Sequence, residues 1–190
     1  MGNRPATPEE ARALANPLRL RILRLCLDRS MTNEELAARL GRDAGTVLHH
    51  VRMLVDTGFL APDEERRGAR GAVERPYRST GKSWTLDVGD EETGMLAMVD
   101  AFRAELAENE GGDVFNLTRL AVRLKPDARD AFADRIMALV TELHDADDPD
   151  GEPYGMLVGL HRLGSRPVAA RRRPAGRSRS AAPHPAEGVG

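Results

Sequence analysis

Residues 32–60, TNEELAARLGRDAGTVLHHVRMLVDTGFL, carry the reading that decides the fold. Thr32, with Glu35 three positions on, is a capping box: hydroxyl and carboxylate each accept from a backbone N–H that a helix start leaves without a partner. Gly41 ends the helix, because glycine enters the left-handed backbone of a helix stop without steric cost. Asp43 supplies a second cap. In the helix it opens, Val47, Val51 and Leu54 fall at i, i+4 and i+7, giving one narrow apolar face. The opposite face carries Thr46, His49 and Arg52, polar groups suited to base edges and phosphates in a major groove. Gly58 stops this helix before Phe59. Two short helices joined by a tight turn form a helix-turn-helix, and the ligand the pattern implies is duplex DNA. A helical hairpin that merely packs would share the apolar spacing.

The flanking sequence separates these two readings. After Phe59 and Leu60, APDEERRGARGAVERPYRST (61–80) reads as strand, glycine-punctuated loop and strand, with Arg66, Arg67, Arg70, Arg75 and Arg78 spread along it. A helix-turn-helix followed by a basic hairpin predicts a winged helix, which plain packing would not require. Upstream, Thr7-Pro8-Glu9-Glu10 has a capping Thr, a first-turn Pro and a capping-box Glu, so a short helix runs to about Ala15. Asn16-Pro17 restarts it. The next helix, to about Asp28, places Leu18, Ile22, Leu23 and Leu25 beneath the helix-turn-helix. Arg19, Arg21 and Arg24, like Arg12 and Arg39, are expected on solvated faces.

The segments ALANPLRLRILRLC (13–26), TNEELAARLG (32–41) and GTVLHHVRMLVDTGFL (45–60) together resemble the winged-helix repressors of the arsenical-resistance (ArsR) type, over about residues 10–85. The resemblance implies that Thr46, Leu48 and His49 face DNA, that a helix following the wing builds a homodimer, and that the regulator represses. Leu48 departs from the small polar residue usual at its position. Contact with a thymine methyl and partial burial both fit it. Many members of that family bind metal through a cysteine pair at the start of the helix before the turn, where this chain reads Ser30-Met31-Thr32-Asn33. No metal and no cofactor is therefore expected.

Composition bounds the rest. The chain has 190 residues, 41% of them hydrophobic, enough for one domain or two small ones. Its net charge of −2 looks poor for a DNA binder, but the charge is segregated. Residues 1–85 hold 15 Lys and Arg against 11 Asp and Glu, residues 86–165 hold 7 against 18, and residues 166–190 hold 6 against 1. The single cysteine, Cys26, excludes an internal disulfide and lies among leucines, so burial is expected rather than redox sensing. The N-terminus lacks the apolar core of a signal peptide and no stretch suits a membrane span, which predicts a cytoplasmic protein.

Beyond the wing, Met95, Val99, Phe102 and Leu106 recur at spacings of 4, 3 and 4, a stripe expected to form a dimer seam on a helix over 91–110. Two-fold symmetry would set two recognition helices in successive major grooves about 34 Å apart. Next, Leu120, Val122 and Leu124 alternate with polar residues, Pro126 opens a helix with Phe132, Ile136, Leu139, Val140 and Leu143 on one stripe, and YGMLVGLHRL (154–163) is short and apolar. These predict a strand-helix-strand module for dimerisation or effector binding. The Arg-, Pro- and Gly-rich end reads as a disordered basic tail.

His49 and His50 are adjacent, so their side chains diverge by about 100° and cannot chelate one ion together. His144 with Asp145, Asp147 and Asp148 reads as helix-end capping and acidic loop, and His161 as a surface or satisfied core residue. No phosphate loop follows a strand and no nucleophile sits at a recognisable spacing from a base, so catalysis finds no support.

The expected fold class is α+β. A winged helix-turn-helix domain spans 1–85, a linker and dimerisation helix 86–112, the α/β module 113–165 and the tail 166–190. The expected function is a sequence-specific DNA-binding transcriptional regulator, a homodimeric repressor. Helix 44–57 would read the major groove through Thr46, Leu48, His49 and Arg52, with His50 nearer the phosphates or the wing. Wing 61–79 would reach the minor groove or phosphates through Arg66, Arg67 and Arg70. The alternative is a winged-helix protein-interaction module without specific DNA binding. Expected partners are double-stranded DNA, a second copy and an unidentified small-molecule effector.

Overall fold

The computed structural model describes residues 4–68, 71–87, 92–108, 117–148 and 150–163. Arg70, the end of the linker, the start of the α/β module and the basic tail lie outside the described residues.

Four helices open the chain: α1 (Pro8–Leu14), α2 (Pro17–Asp28), α3 (Asn33–Leu40) and α4 (Ala44–Asp56). Each starts where the caps predict. The Thr7 and Thr32 capping boxes are both complete, with Thr32 N donating to Glu35 Oε2 at 2.7 Å, and Asn16 Oδ1 accepts from Arg19 N at 3.1 Å. Gly41 closes α3 at φ 59°, where a side chain would be strained, and the turn is sealed by Arg42 N donating to Ala37 O at 3.0 Å.

The wing follows. Strand β2 (Leu60–Pro62) pairs antiparallel with β5 (Tyr77–Ser79), Leu60 facing Ser79, and further along the hairpin β3 (Arg66–Arg67) pairs with β4 (Val73–Glu74). Met31 and Tyr77 exchange backbone hydrogen bonds of 3.0 and 2.8 Å, which fixes the hairpin base to the residues just before α3. A 3-10 turn (Lys82–Thr85) leads to β6 (Leu86–Asp87), parallel to β1 (Arg4–Pro5). The core draws on every one of these helices, with Ile22, Leu36, Val47, Val51 and Leu54 fully buried and Phe59 and Leu60 nearly so. Burying each such side chain contributes roughly 1.5–3 kcal/mol.

Helix α5 (Glu92–Glu108) packs on α2 and α1. Its seat is not the expected stripe. Ala97 and Ala101 are buried, their small side chains allowing close approach, whereas Met95 and Val99 remain 45% and 50% exposed and Phe102 and Leu106 are half-buried. Glu108 secures the end of the helix, paired with Arg21 and, at 3.0 Å, with Arg39. Arg21 and Arg39 are thus ion-paired rather than simply solvated.

Helix α6 (Pro126–Asp145) begins at Pro126 as expected, yet none of its residues is buried. The two strands expected on either side of it do not form. Residues 117–125 and 152–163 have no regular structure, and Leu120 is 77% exposed. Alternation marks a strand that could be half-buried, but a strand exists only when a neighbouring strand takes up its hydrogen bonds. Neither stretch has such a partner among the described residues. No helix there is long and apolar enough to cross a membrane.

Candidate nucleic-acid interface

Helix α4 is held in place from three directions. Asp43 Oδ1 accepts from Thr46 N at 3.0 Å, capping its start. Its inner face, Val47, Val51 and Leu54, is fully buried. Asn33 at the start of α3 donates from Nδ2 to Ala44 O at 3.0 Å, linking the two helices of the motif across their turn. At the far end the Thr57 hydroxyl donates to Met53 O at 2.7 Å, and Gly58 turns the chain at φ 74° so that Phe59 can enter the core. The helix therefore offers a fixed outer face, on which Gly45, Thr46, His49, Arg52 and Asp56 are exposed.

The expected contact residues separate on this frame. Thr46, His49 and Arg52 lie together along the exposed line, while Leu48 is half-buried beside it. His50 is half-buried on the other flank, where its Nδ1 lies 3.3 Å from Arg19 Nη1. Burial, the Arg19 guanidinium and His49 together hold the His50 imidazole below the usual histidine value.

Arg19 itself is 7% exposed, against the expectation of a solvated side chain. Its Nε donates to Ala13 O and its Nη2 to Arg12 O, both at 2.6 Å, so the guanidinium takes up carbonyls at the end of α1 that the helix cannot satisfy itself. Helical spacing contains this signal, because Arg19 lies three, four and seven residues before the buried Ile22, Leu23 and Cys26.

Electrostatics on the wing differ from a plain count of arginines. Arg66 donates to Glu35 at 2.5 Å and to Glu74 at 3.2 Å, Arg75 pairs with Glu65 at 2.8 Å, and Arg78 with Asp63 at 3.4 Å. Asp63 also accepts from the Ser30 hydroxyl, and that bond, the Glu64 N–H and Arg78 keep its carboxyl below the usual range. Arg67 is exposed and has no carboxylate partner among the described residues. Of the wing positions singled out in the sequence, Arg67 is thus open toward solvent, Arg66 is engaged, and Arg70 is not described.

A buried carboxylate escaped the sequence reading. Glu10, 6% exposed, accepts from Arg4 at 2.6 and 2.9 Å, pairs with Lys82 Nζ at 2.7 Å and completes the Thr7 capping box. Lys82 Nζ also donates to Thr57 O at 2.5 Å and lies 5.1 Å from the centre of the Phe59 ring. The partners of Glu10 hold its carboxyl far below the usual range, hydrogen bonds from Arg4 and Lys82 acting most strongly. The Thr7-x-x-Glu10 spacing announced only the capping role.

Cys26 is fully buried and desolvation pushes its thiol up to about 12, as a packing role predicts. Among the described residues no group of three or more His, Cys, Asp or Glu side chains is placed to hold a metal ion.

Residues 14–62 match the helix-turn-helix domain family, a span that runs from the end of α1 through β2. No curated protein matches the chain. Among solved structures, reduced HlyU from Vibrio cholerae is similar at 22% identity and TM-score 0.31, over 46% of this chain and 77% of its own. The transcriptional regulator SlyA is similar at 13% identity and TM-score 0.29, over 68% and 75%. MepR from S. aureus, in a complex with DNA, is similar at 15% identity and TM-score 0.27, over 74% and 79%. What the matched span establishes is that residues 14–62 form a helix-turn-helix domain.

Proposed function

We propose that this protein is a transcriptional regulator that binds duplex DNA as a homodimer and represses, with α4 in the major groove and the wing against the neighbouring backbone or minor groove. One observation carries the reading: α4 buries Val47, Val51 and Leu54 and holds Thr46, His49 and Arg52 outward on a capped helix. Such a fixed row of short and forked polar groups matches the donor and acceptor pattern of base edges. Leu48 contributes at the margin, and Arg67 and Arg70 supply phosphate contacts. Met95, Val99, Phe102 and Leu106 on α5 meet the same residues of a second copy. That assignment is supported by the exposure of Met95 and Val99 on a helix whose alanine face is already taken. Residues 113–165 add to the dimer or receive a small-molecule effector.

Binding to the DNA upstream of its own gene and to scrambled DNA of equal length, each across 50 to 300 mM salt, tests the proposal. A preference of about 10³-fold or more at physiological salt, lost in the His49→Ala/Arg52→Ala double variant, supports it. Equal binding to both DNAs regardless of the variant refutes sequence-specific reading. A second reading, a winged helix that docks a protein, draws support from the carboxylate partners of Arg66, Arg75 and Arg78. Capture of a defined partner from nuclease-treated lysate, abolished by wing substitutions, would favour it.

A further inference from the structure

Histidine can present either ring nitrogen as a donor, and which one is set by what the other nitrogen meets. In this protein His50 Nδ1 meets Arg19 Nη1 at 3.3 Å. A guanidinium is a donor only, charged at every accessible pH, so the nitrogen facing it has to be the acceptor. The guanidinium cannot turn away, because its Nε and Nη2 are bound to Ala13 O and Arg12 O at 2.6 Å and it is 7% exposed. The proton of a neutral His50 therefore sits on Nε2.

Position decides what that proton can serve. Helical spacing puts His50 beside Met53, three residues after it and likewise half-buried, on the flank of the exposed line that Thr46, His49 and Arg52 follow. A group on the flank of a recognition helix faces the wall of the groove, where the backbone oxygens are, rather than the floor, where the base edges are.

We propose that Arg19 is a positioning residue of the DNA interface: it fixes His50 as the Nε2–H tautomer, so that α4 presents an uncharged donor to a phosphate oxygen. This rests on the DNA-binding reading above for its partner, whereas the tautomer is a property of the free protein. The bond adds affinity without sequence preference and, being made by a neutral group, without releasing a counterion.

The test has two arms. In the full chain labelled with 15N-histidine, long-range proton–nitrogen spectra at pH 7.5 are expected to show His50 protonated on Nε2 alone, with His49 showing the mixed pattern of a solvated ring. In Arg19→Met, whose flexible apolar chain fills similar space, His50 is expected to move toward that mixture. Protonation of Nδ1 in the wild type overturns the assignment, and the wild-type spectrum decides this even if Arg19→Met does not fold. An unchanged tautomer in a folded Arg19→Met overturns the role of Arg19.

In the second arm, His50→Gln, which retains a donor, is expected to bind DNA within about twofold of wild type. His50→Leu is expected to lose about fivefold alike on upstream and scrambled DNA with an unchanged salt slope. A loss confined to upstream DNA overturns the phosphate assignment in favour of a base contact. Wild-type protein that binds neither DNA overturns the DNA-binding reading and, with it, the interface role, while the tautomer result stands by itself.

Discussion

Arg66 and Arg67 are neighbours in sequence and in β3, yet they have different surroundings, and on the proposed DNA-binding reading they are expected to act differently. Arg66 is held by Glu35 at 2.5 Å and Glu74 at 3.2 Å, whereas Arg67 is exposed without a carboxylate partner among the described residues. A cation already neutralised by carboxylates has little charge left to displace ions from phosphate. On B-DNA each neutralised phosphate steepens the dependence of log K on log salt by about 0.9. Arg67→Ala is thus expected to reduce the slope by about 0.9, so that its affinity falls about 3.5-fold less than the wild type's between 50 and 200 mM salt. Arg66→Ala is expected to leave the slope unchanged. Fluorescence anisotropy on a labelled scrambled duplex, at five or more salt concentrations, reads both slopes. Equal reductions for the two variants would show that Arg66 exchanges its carboxylates for phosphate and refute the argument from pairing. No change in either would take the wing off the DNA.

Removing the cap of α4 in Asp43→Ala should cost about 1 kcal/mol, read as a lower urea midpoint at unchanged m-value. Leu36→Ala, at a fully buried position between the motif's helices, should cost about 2–5 kcal/mol in the same assay. Cys26, fully buried, should react with a thiol reagent at pH 8 only through opened states, so under strongly native conditions its labelling rate should fall below that of a free thiol by the fraction of chains that are open, and a labelling rate equal to that of a free thiol would refute burial. His50 is held below the ordinary histidine value, so the unfolded chain gains a proton first as acid is added. Its effect on stability is absent above the unfolded value near pH 6.5 and grows as a loss below it, and His50→Gln should flatten that limb. Glu10, ionised where His50 is neutral, has a lower window: its contribution is present above the ordinary carboxylate range and disappears as pH falls through and below it, so Glu10→Gln should blunt acid unfolding at the low end.

Much of the winged helix was legible because its signals are local. Thr32 with Glu35, Asn16 before Pro17, Asp43 and Gly41 each act on backbone within four residues, and all do so in the folded chain. The spacing of Val47, Val51 and Leu54 likewise marks a single inward face. What escaped depends on partners distant in sequence. Arg66 reads as a wing cation until Glu35, 31 residues away, is brought beside it. Helix α5 has two surfaces able to pack, and the larger side chains of Met95 and Val99 advertise one while Ala97 and Ala101 fit the surface of α2. The stretches 117–125 and 154–163 carry strand-like residues, but nothing within them specifies a neighbouring strand. The inward position of Arg19, by contrast, is local information: its register with Ile22, Leu23 and Cys26 points it to the core, and only its charge argues otherwise.

The Glu10 cluster has a mechanical meaning. Through Lys82 it fastens the carbonyl of Thr57, immediately after α4, to α1 and, through Arg4, to the strand that pairs with β6 on the way to α5. The end of α4 is therefore tied to α1 and, through β1 and β6, to the segment that leads to α5. If the protein acts as the proposed dimer, this tie favours a signal that alters the distance or angle between two winged-helix bodies, much as a caliper is adjusted at its hinge, over one that tilts α4 within its own body. An effector would be felt by the operator as spacing between half-sites, with the shape of each half-site's reader unchanged.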